Sequence, residues 1–521
     1  MISHSFYYLE QRQWAKDASN CKVAIHHGEA LPVAQIECMQ DSAAWQGVSA
    51  VRTLPAEEAF ERPFDFRTFR FDFGRHLVGR LEFRLGLSRP NDAPVRIRCK
   101  FAETPYELAT DFATYHGHLD RSWLQEEVFL FDTLPEIIRL PRRYAFRYLE
   151  IEFGSPNYMT RLVSLRCITE TSAGEALPPP NGLSEEDLAV DKVCVNTLRN
   201  CMQSLFEDGP KRDRRLWLGD LWIQAKVNAV TFRNFELAEK CICLFASLAD
   251  CDGLVPGSLS LRENGAMADC SVITYALLFP SLVLDHLCFT GNERLCRSML
   301  PVARRQLELF GEAVDDNGVL HPKDGWWLFI DQDLDLWRET PAMAMYVFAL
   351  REYAALLDAL NEKKDMVFTE KAERLSESLR RRLWNAPRGL MASDGDAMQF
   401  SWATQAWMIL GDVPLREQSQ VIWDNAVKDP QIIQPKTPFL WNMLLMAGIK
   451  LGRRTEVMKI IKKYWGGMIK RGADTFWEEY VEDDPMYSSY GDPLMNSACH
   501  AWSCFPSYVF RESFVECQKK G

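Results

Sequence analysis

The sequence predicts a multidomain protein in which an antiparallel β-sandwich precedes a larger all-α domain. Three observations support this prediction: residues up to about 170 alternate between apolar and polar, residues 172–184 contain a run of prolines, and apolar residues after Ser184 recur at helical spacing. A chain of 521 residues is long enough for about two to four domains. The proline run and the change of period reduce this number to two, over residues 1–175 and 184–521.

Strands account for the first domain. The clearest alternation covers residues 69–73, 81–85 and 95–101, in which aromatic or aliphatic residues tend to occupy every second position. Shorter candidates are residues 64–66, 128–131 and 148–153. Alternation with a period of two gives each strand one buried and one exposed face. Because helical segments are not evident between the strands, an antiparallel sandwich is favoured over βαβ units.

A linker separates the two domains. Pro178, Pro179 and Pro180 are consecutive, and they stop both a helix and a hydrogen-bonded strand because proline has no backbone N–H. Immediately afterwards, Ser184 followed by Asp187 is typical of a helix N-terminus.

The second domain has the pattern of a helical protein. Amphipathic stretches recur at residues 237–248, 302–310, 343–360, 370–383, 405–410, 439–451 and 455–464. With shorter pieces they predict about a dozen helices. Paired helices joined by aromatic-rich loops favour an α/α toroid with a central pocket. A solenoid and a plain bundle are the alternatives, and we find no repeat motif.

Composition excludes several classes of function. The 72 acidic residues outnumber the 60 basic ones and give a net charge of −12, so the chain repels nucleic acid and anionic membrane surfaces. The longest apolar run, residues 270–284, is too short and interrupted to span a bilayer, and residues 1–15 lack a secretory signal, so we expect a cytoplasmic protein.

Fifteen cysteines without a C-x-x-C pair and nine scattered histidines indicate reduced thiols, no metal site and no cofactor. Sixteen tryptophans suit a sugar-binding cleft as well as a core.

The first candidate functional segment covers residues 207–220, where acidic and basic residues surround a tryptophan. If the segment is helical, Asp213, Trp217 and Asp220 lie at i, i+4 and i+7 on one stripe, and Arg212 lies on a neighbouring one. Two carboxylates beside an indole suit a sugar site. An exposed, ion-paired helix with a half-buried tryptophan is the alternative.

The second candidate segment covers residues 474–480 and continues, in a loop-like region, to His500. Glu478 and Glu479 directly follow Trp477. This pattern is typical of a catalytic carboxylate beside an aromatic wall, and equally of a solvated helix end.

Taken together and in this order, the two segments resemble the α-L-rhamnosidases of glycoside hydrolase family 78. That family carries a D-x-P-x-R-[DE] segment followed by W-x-G-D, and much later T-x-W-E. The first pattern is matched by Asp208, Pro210, Arg212, Asp213, Trp217, Gly219 and Asp220, and the second by Thr475, Trp477 and Glu478. His500 and the strand sequences at residues 71–75, 78–80 and 143–148 are also similar to the family.

The resemblance implies an (α/α)6-barrel catalytic domain behind the sandwich. It also implies an inverting α-L-rhamnosidase that releases terminal α-L-rhamnose. Because residues 1–15 lack a secretory signal, we expect small rhamnosides, such as disaccharides and flavonoid or aryl glycosides, rather than an extracellular polysaccharide. By position, Asp213 is the general acid and Glu478 the general base. Asp213 stands where the family commonly has Glu, and the lower intrinsic pKa of Asp requires a larger upward shift, supplied by Asp208, Asp220 or apolar walls.

The resemblance and side-chain chemistry together imply a set of substrate-binding residues. They are Asp208, Arg212, Trp217, Asp220, Trp327, Asp331, Trp477 and His500. Carboxylates accept hydrogen bonds from sugar hydroxyls, and indoles pack against pyranose rings. The alternatives are helix capping or ion pairing for the acids, core packing for the indoles and for His500, and a buried loop anchor for residues 324–331. The expected partner is a small rhamnoside, and the compact two-domain form favours a homodimer.

Two other functions fit parts of the pattern. Another α/α-toroid enzyme, such as an unsaturated uronyl hydrolase or a phosphorylase, shares the predicted architecture. A non-catalytic carbohydrate-binding protein needs the tryptophans but neither Asp213 nor Glu478.

Overall fold

The computed structural model describes residues 4–60, 68–87, 94–154, 160–315, 317–396 and 398–518. A sheet-rich N-terminal region is followed by a helical domain, as the change of period predicts. The predicted strand at residues 64–66 lies outside the described residues.

Nine strands form the N-terminal sheet region. They are β1 (His26–Ala30), β2 (Ala34–Gln40), β3 (Val48–Pro55), β4 (Thr68–Leu87), β5 (Val95–Ala102), β6 (Glu126–Phe131), β7 (Ile138–Arg139), β8 (Tyr144–Phe153) and β9 (Thr160–Thr171). All pairings in this network are antiparallel, in the order β1-β9-β4-β8-β5-β6, while β2 joins β3 to β4 and β7 pairs with β4.

The long strand β4 runs through the centre of this network. Residues 68–79 pair with β8 and residues 79–87 pair with β9, so two separately predicted strands are one. Its ladder is interrupted between Asp72 and Leu77. This bulge brings His76 to the helical domain, where its backbone N–H donates to Asp474 Oδ2 at 2.6 Å.

Three helices accompany the sheet region in sequence: α1 (His4–Asn20), α2 (Ala56–Phe60) and α3 (Pro105–Ala109). Helix α1 was not predicted, and it packs against a helix of the following domain rather than against the sheet. Trp14 and Ala18 belong to the hydrophobic core of the helical domain. The N-terminus of the chain therefore contributes to the second structural unit.

The helical domain contains thirteen described helices. They are α4 (Glu185–Cys201), α5 (Leu218–Val230), α6 (Phe235–Ser247), α7 (Ile273–Ala276), α8 (Phe279–Thr290), α9 (Glu293–Gly311), α10 (Glu339–Ala359), α11 (Met366–Leu383), α12 (Trp402–Leu410), α13 (Arg416–Ala426), α14 (Pro438–Lys450), α15 (Arg454–Lys470) and α16 (Pro506–Gln518). The short strands are β10 (Leu216–Trp217), β11 (Ser258–Arg262), β12 (Gly265–Cys270), β13 (Trp384–Asn385) and β14 (Leu390–Met391). All seven predicted amphipathic stretches coincide with helices, and Ser184 Oγ caps α4 by accepting from the N–H of Asp187.

The helices form an inner and an outer set. Helices α5, α8, α10, α12 and α14 contact one another in turn, and each also contacts its following partner, α6, α9, α11, α13 or α15. The inner helices are largely buried because most of their positions are apolar. The window Ile273–Thr290 is long and apolar enough to cross a membrane, but 72% of it is buried inside the protein.

Candidate active site

A cavity of about 340 Å³ lies among the loops of the helical domain, beside the N-terminus of α5. Its charged or ionisable lining residues are Asp208, Arg212, Asp213, Arg215, Asp220, Glu478 and His500, and its aromatic ones are Trp217, Tyr275, Trp327, Phe329, Tyr490 and Trp502. Eight of the ten predicted site residues therefore reach one cavity, from segments far apart in the sequence.

The segment that carries Asp213 is a folded loop and not the helix on which Asp213, Trp217 and Asp220 would share one stripe. The carboxyl oxygens of Asp208 accept the backbone N–H groups of Asp213 and Arg215, each at 3.0 Å. Arg214 has a positive φ of 59°, and helix α5 begins only at Leu218. An aspartate that binds nearby backbone N–H groups stabilises a loop in competition with a helix. The acids and the tryptophan still converge because the loop wraps around Asp208.

The Asp208 carboxyl is therefore hydrogen-bonded to the backbone of its own loop. Burial, reinforced by the charge of Asp213, raises the pKa of Asp208 to about 8, although the backbone N–H groups of Asp213, Arg215 and Gly209 favour its ionised form. At neutral pH its protonated form predominates, which differs from the ionised sugar acceptor that the sequence predicts.

Glu478 lies in the loop after α15, and three donors converge on its carboxylate. Tyr490 Oη donates to Oε1 at 2.5 Å, Arg212 Nη2 donates to Oε2, and the backbone N–H of Ser497 donates to Oε2 at 3.3 Å. Burial opposes ionisation, but the charge of Arg212 and these hydrogen bonds outweigh it and hold the pKa of Glu478 below its usual value. Glu478 is thus an ionised carboxylate at neutral pH, as a general base requires.

Arg212 links the two predicted catalytic carboxyls. Besides Glu478, it donates through Nη1 to Asp213 Oδ1 at 3.1 Å and through Nε to the carbonyl of Met495 at 3.2 Å. Its guanidinium also packs on the ring of Tyr490, with 4.2 Å from Cζ to the ring centroid. Because each of its three nitrogens donates to a protein group, Arg212 positions both carboxyls, and its predicted contact with a substrate stays a prediction.

Asp213 is the most accessible of the four acids in the cavity. Its side chain is 17% exposed, against 2–4% for Asp208, Asp220 and Glu478. Among these four acids, it is therefore the one that a molecule entering the cavity reaches most easily.

Asp220 and His500 form a neutral polar pair on the cavity wall. His500 Nδ1 and Asp220 Oδ1 lie 3.5 Å apart, and neither atom has a well-oriented hydrogen bond to any part of the chain that the structure describes. Burial lowers the pKa of His500 to about 4. Burial and the charges of Asp208 and Glu478 raise the pKa of Asp220 well above its usual value. Both groups can donate and accept, as recognition of sugar hydroxyls requires.

Aromatic rings form the rest of the wall. Trp217 packs edge to face against Trp327 at 5.9 Å and against Tyr275 at 6.3 Å between ring centroids. The ring of Trp502 lies 4.1 Å from that of His500. Trp327 is 44% exposed and forms the rim. The wall offers apolar faces to the C–H groups of a sugar.

Two predicted binding residues lie away from the cavity. Asp331 is a buried loop anchor: its carboxylate accepts the backbone N–H groups of Lys436 and Thr437 and the hydroxyl of Thr437, at 2.5–3.1 Å, at the start of α14. Trp477 is 7% exposed and packs against Trp45 of the sheet region at 5.2 Å. Asp331 is thus a buried loop anchor and Trp477 packs in the core, the alternative that the sequence left open for each.

Sequence reasoning missed several contributors to the site. Tyr490 lies twelve residues after Glu478 in a run of polar and aromatic residues, and only the contact with Glu478 distinguishes it from its neighbours. Leu119 lines the cavity from the sheet region, where no sequence signal points to function. The neighbouring Glu479 faces Ser489 instead, with its carboxyl bound by the hydroxyl and the N–H of that residue.

No group of three or more His, Cys, Asp or Glu side chains within the described ranges could hold a metal ion. The candidate site is built from carboxyl, guanidinium, imidazole and aromatic groups.

Two family models match consecutive parts of the chain. The glycosyl hydrolase family 78 alpha-rhamnosidase N-terminal domain matches residues 32–169. The bacterial alpha-L-rhamnosidase 6 hairpin glycosidase domain matches residues 186–512. No curated protein sequence matches the chain.

Solved structures support the same assignment. A rhamnosidase from Klebsiella oxytoca with rhamnose bound is 34% identical over 96% of this chain and 99% of that chain, with a TM-score of 0.92. The family 78 rhamnosidase of Bacillus sp. GL1 is 23% identical over 89% of this chain and 49% of that chain, with a TM-score of 0.74. An alpha-L-rhamnosidase from Streptomyces avermitilis complexed with L-rhamnose is 16% identical over 94% and 44% of the two chains, with a TM-score of 0.65. The last two similarities show the fold alone. Because the two matched domains together cover most of its length, the chain belongs to the α-L-rhamnosidases of glycoside hydrolase family 78 and is a glycoside hydrolase.

Proposed function

We propose that this enzyme releases terminal α-L-rhamnose from small rhamnosides, such as disaccharides and flavonoid or aryl glycosides, by a single displacement that inverts the anomeric carbon. One observation carries the proposal: Arg212 holds Asp213 and an ionised Glu478 together at the wall of a cavity. Its volume of about 340 Å³ lies near the lower end of small-molecule pockets, ~300–1,000 Å³, and suits one terminal sugar.

In this mechanism Glu478 is the general base. It takes a proton from a water molecule whose oxygen attacks the anomeric carbon, while the bond from that carbon to the glycosidic oxygen breaks. Arg212 and Tyr490 keep the base ionised before the reaction.

Asp213 is the general acid and gives its proton to the departing oxygen. The products are β-L-rhamnose and the free alcohol of the aglycone, so atoms and charges balance.

Sugar recognition is assigned to the neutral pair of Asp220 and His500 and to the aromatic wall. The pair supplies polar atoms without described protein partners for the hydroxyls. Trp217, Trp327 and Trp502 supply apolar surface for the ring and for the methyl group of the deoxy sugar.

We extend the proposal to the architecture. The succession of inner helices, each backed by an outer partner, supports an (α/α)6 barrel behind a β-sandwich. The cytoplasmic location and the homodimer stay predictions.

The test is release of L-rhamnose from p-nitrophenyl α-L-rhamnoside by the wild type, Asp213→Asn and Glu478→Gln. We expect kcat of both variants to fall by about 10²–10⁴-fold, the usual contribution of a general acid or base. Glu479→Gln is the matched control, since this neighbouring buried glutamate faces Ser489, and we expect wild-type kcat. Equal activity of all proteins, or a wild type that binds rhamnose without turnover, would contradict the mechanism.

NMR of the first-formed product tests the stereochemistry. β-L-rhamnose is expected before mutarotation, whereas α-L-rhamnose would show retention and refute the roles given to Asp213 and Glu478.

A further inference from the structure

A buried carboxylate of the sheet region reaches both catalytic segments. Glu103 directly follows β5, and its side chain is fully buried. Its Oε2 accepts the backbone N–H of Ala498 at 2.7 Å and lies 3.1 Å from Lys211 Nζ, while its Oε1 lies 2.9 Å from His76 Nε2. A charged group so deeply buried requires such compensation.

The partners of Glu103 adjoin the groups that act in the cavity. Lys211 directly precedes Arg212, which holds Asp213 and Glu478. Ala498 directly follows Ser497, whose N–H donates to Glu478, and stands two residues before His500. One carboxylate therefore ties the acid-bearing loop to the base-bearing loop.

The network extends beyond Glu103 on both sides. Lys211 Nζ also donates to the carbonyl of Asn496 at 2.7 Å and to Glu107 Oε1 at 3.3 Å. His76 Nδ1 lies 2.9 Å from Asn200 Nδ2 of α4. These contacts hold Glu103 and Lys211 in one arrangement, as residues that orient a catalytic group require.

The charge of Lys211 is the main reason why Glu103 stays ionised. Burial alone would raise the pKa of Glu103, but Lys211 and the hydrogen bond with His76 lower that pKa to about 2. The network is therefore a charge-compensated unit and not a set of separate surface contacts.

A second contact joins the sheet region to the same loops. Phe112 and Leu124, in the segment between β5 and β6, share a hydrophobic cluster with Leu494 and Met495. In that segment the N–H of His118 donates to the carbonyl of Tyr490 at 2.8 Å. The base-bearing loop thus rests on the sheet region in two places.

We propose that Glu103 is a positioning residue for hydrolysis: it sets the relative placement of the loops that carry Asp213 and Glu478. The N-terminal sheet region is then an integral part of the active site and not an accessory module. This inference rests on the proposed function, in which Asp213 and Glu478 act together.

The test compares Glu103→Gln with Glu152→Gln in the full-length enzyme. Glu152 belongs to β8 of the same sheet and pairs with Arg98, away from the catalytic loops, so its variant is the matched control. For Glu103→Gln we expect kcat on p-nitrophenyl α-L-rhamnoside to fall by about 30-fold while KM changes less than about threefold, because base orientation matters in the transition state more than in substrate binding. Glu152→Gln is expected to retain wild-type kcat.

A double-mutant cycle separates positioning from general destabilisation. Lys211→Met should lower kcat by a similar factor, and the double variant Glu103→Gln with Lys211→Met should be little worse than either single variant, since both changes break one unit. Additive losses would overturn the inference. So would a Glu103→Gln kcat that equals the wild type once corrected for the folded fraction.

Amide hydrogen exchange supplies a readout that needs no activity. Glu103→Gln should increase exchange in peptides covering residues 208–217 and 496–500, and Glu152→Gln should not. A wild type without rhamnosidase activity would refute the proposed function, whereas unchanged exchange in Glu103→Gln would refute the role of Glu103 in placing the loops.

Discussion

Two segments of the chain supply the carboxyl groups of the cavity, and burial has opposite outcomes for Asp208 and Asp220 in one segment and for Glu478 in the other. In residues 208–220, burial and neighbouring charge raise the pKa of Asp208 to about 8 and that of Asp220 well above its usual value. In residues 474–500, Glu478 is equally buried, yet Arg212 and Tyr490 hold its pKa below the usual value. Burial alone therefore does not set the protonation state; the nearest cation and hydrogen-bond donors do.

Adjacent residues within one segment show the same effect. Glu478 and Glu479 are both buried, but only Glu478 contacts Arg212. Burial and the charge of Glu478 raise the pKa of Glu479 to about 8. Neighbours in sequence thus differ because their side chains face different surroundings.

The largest expected effect comes from removing the cation that creates this difference. In Arg212→Met, only the hydrogen bonds from Tyr490 and Ser497 still oppose burial, so the pKa of Glu478 rises and less of the base is ionised at neutral pH. We expect kcat at pH 7 to fall by about 10³-fold, within the range for loss of a general base. The acid limb of the pH profile of kcat/KM should move to higher pH.

Arg388→Met is the control for that change. Arg388 also combines an ion pair, with Asp429, and an aromatic contact, 4.0 Å from the ring of Phe400, but it is not part of the cavity. An Arg212→Met enzyme with an unshifted acid limb would contradict the role given to this cation.

A smaller effect is expected from removing one hydrogen bond to the base. Tyr490→Phe deletes the donor at 2.5 Å from Glu478 Oε1, and a hydrogen bond to a charged group contributes about 1.5–3 kcal/mol. We expect kcat to fall about tenfold, with a smaller upward shift of the acid limb. Tyr487→Phe, whose hydroxyl binds the carbonyl of Gln332, should leave the pH profile unchanged; equal shifts in both variants would refute a specific contact.

In residues 208–220, replacement of Asp220 by a neutral side chain should change KM more than kcat. Burial and neighbouring charge hold the pKa of Asp220 well above its usual value, and Asp220→Asn keeps the shape of this side chain while it removes the acidic proton. We expect KM for the aryl rhamnoside to rise about fivefold, with kcat changed less, because one sugar contact changes by about 1 kcal/mol. Asp331→Asn is the contrast: its carboxylate anchors α14, so Tm should fall while KM stays constant. A raised KM for Asp331→Asn together with a lowered Tm for Asp220→Asn would contradict the roles given to the two acids.

The smallest effect concerns the pH dependence of stability. Glu479 has a folded-state pKa of about 8, above the usual value near 4.3 of an exposed glutamate. Between these values the folded state binds more protons than the unfolded state, so stability decreases as pH rises through this window. Glu479→Gln removes that loss. We expect its Tm to match the wild type near pH 5 and to exceed it by about 2 °C at pH 8, measured by thermal unfolding; a constant difference would contradict the shifted pKa.

The spacing of apolar residues along the chain predicted most helices of the helical domain. Helical spacing identified the seven stretches that the structure shows as helices, and Ser184 identified the start of α4. The same reasoning failed at residues 208–217, because a spacing of i, i+4 and i+7 does not reveal that the Asp208 carboxyl takes the backbone N–H groups of a loop. It also missed α1, whose buried face is covered by α6, a helix far away in the sequence.

The order of the two regions, most helices of the helical domain, and the two motifs that carry Asp213 and Glu478 could be predicted because they depend on residues that are close along the chain. Which side chains share the cavity, which carboxyls are ionised, and how the sheet region takes part in the site depend on contacts between distant residues. Glu478 meets Arg212 across 266 residues and Ala498 meets Glu103 across 395. Electrostatic interactions depend on distance in space and on burial, so these properties are set by the folded chain.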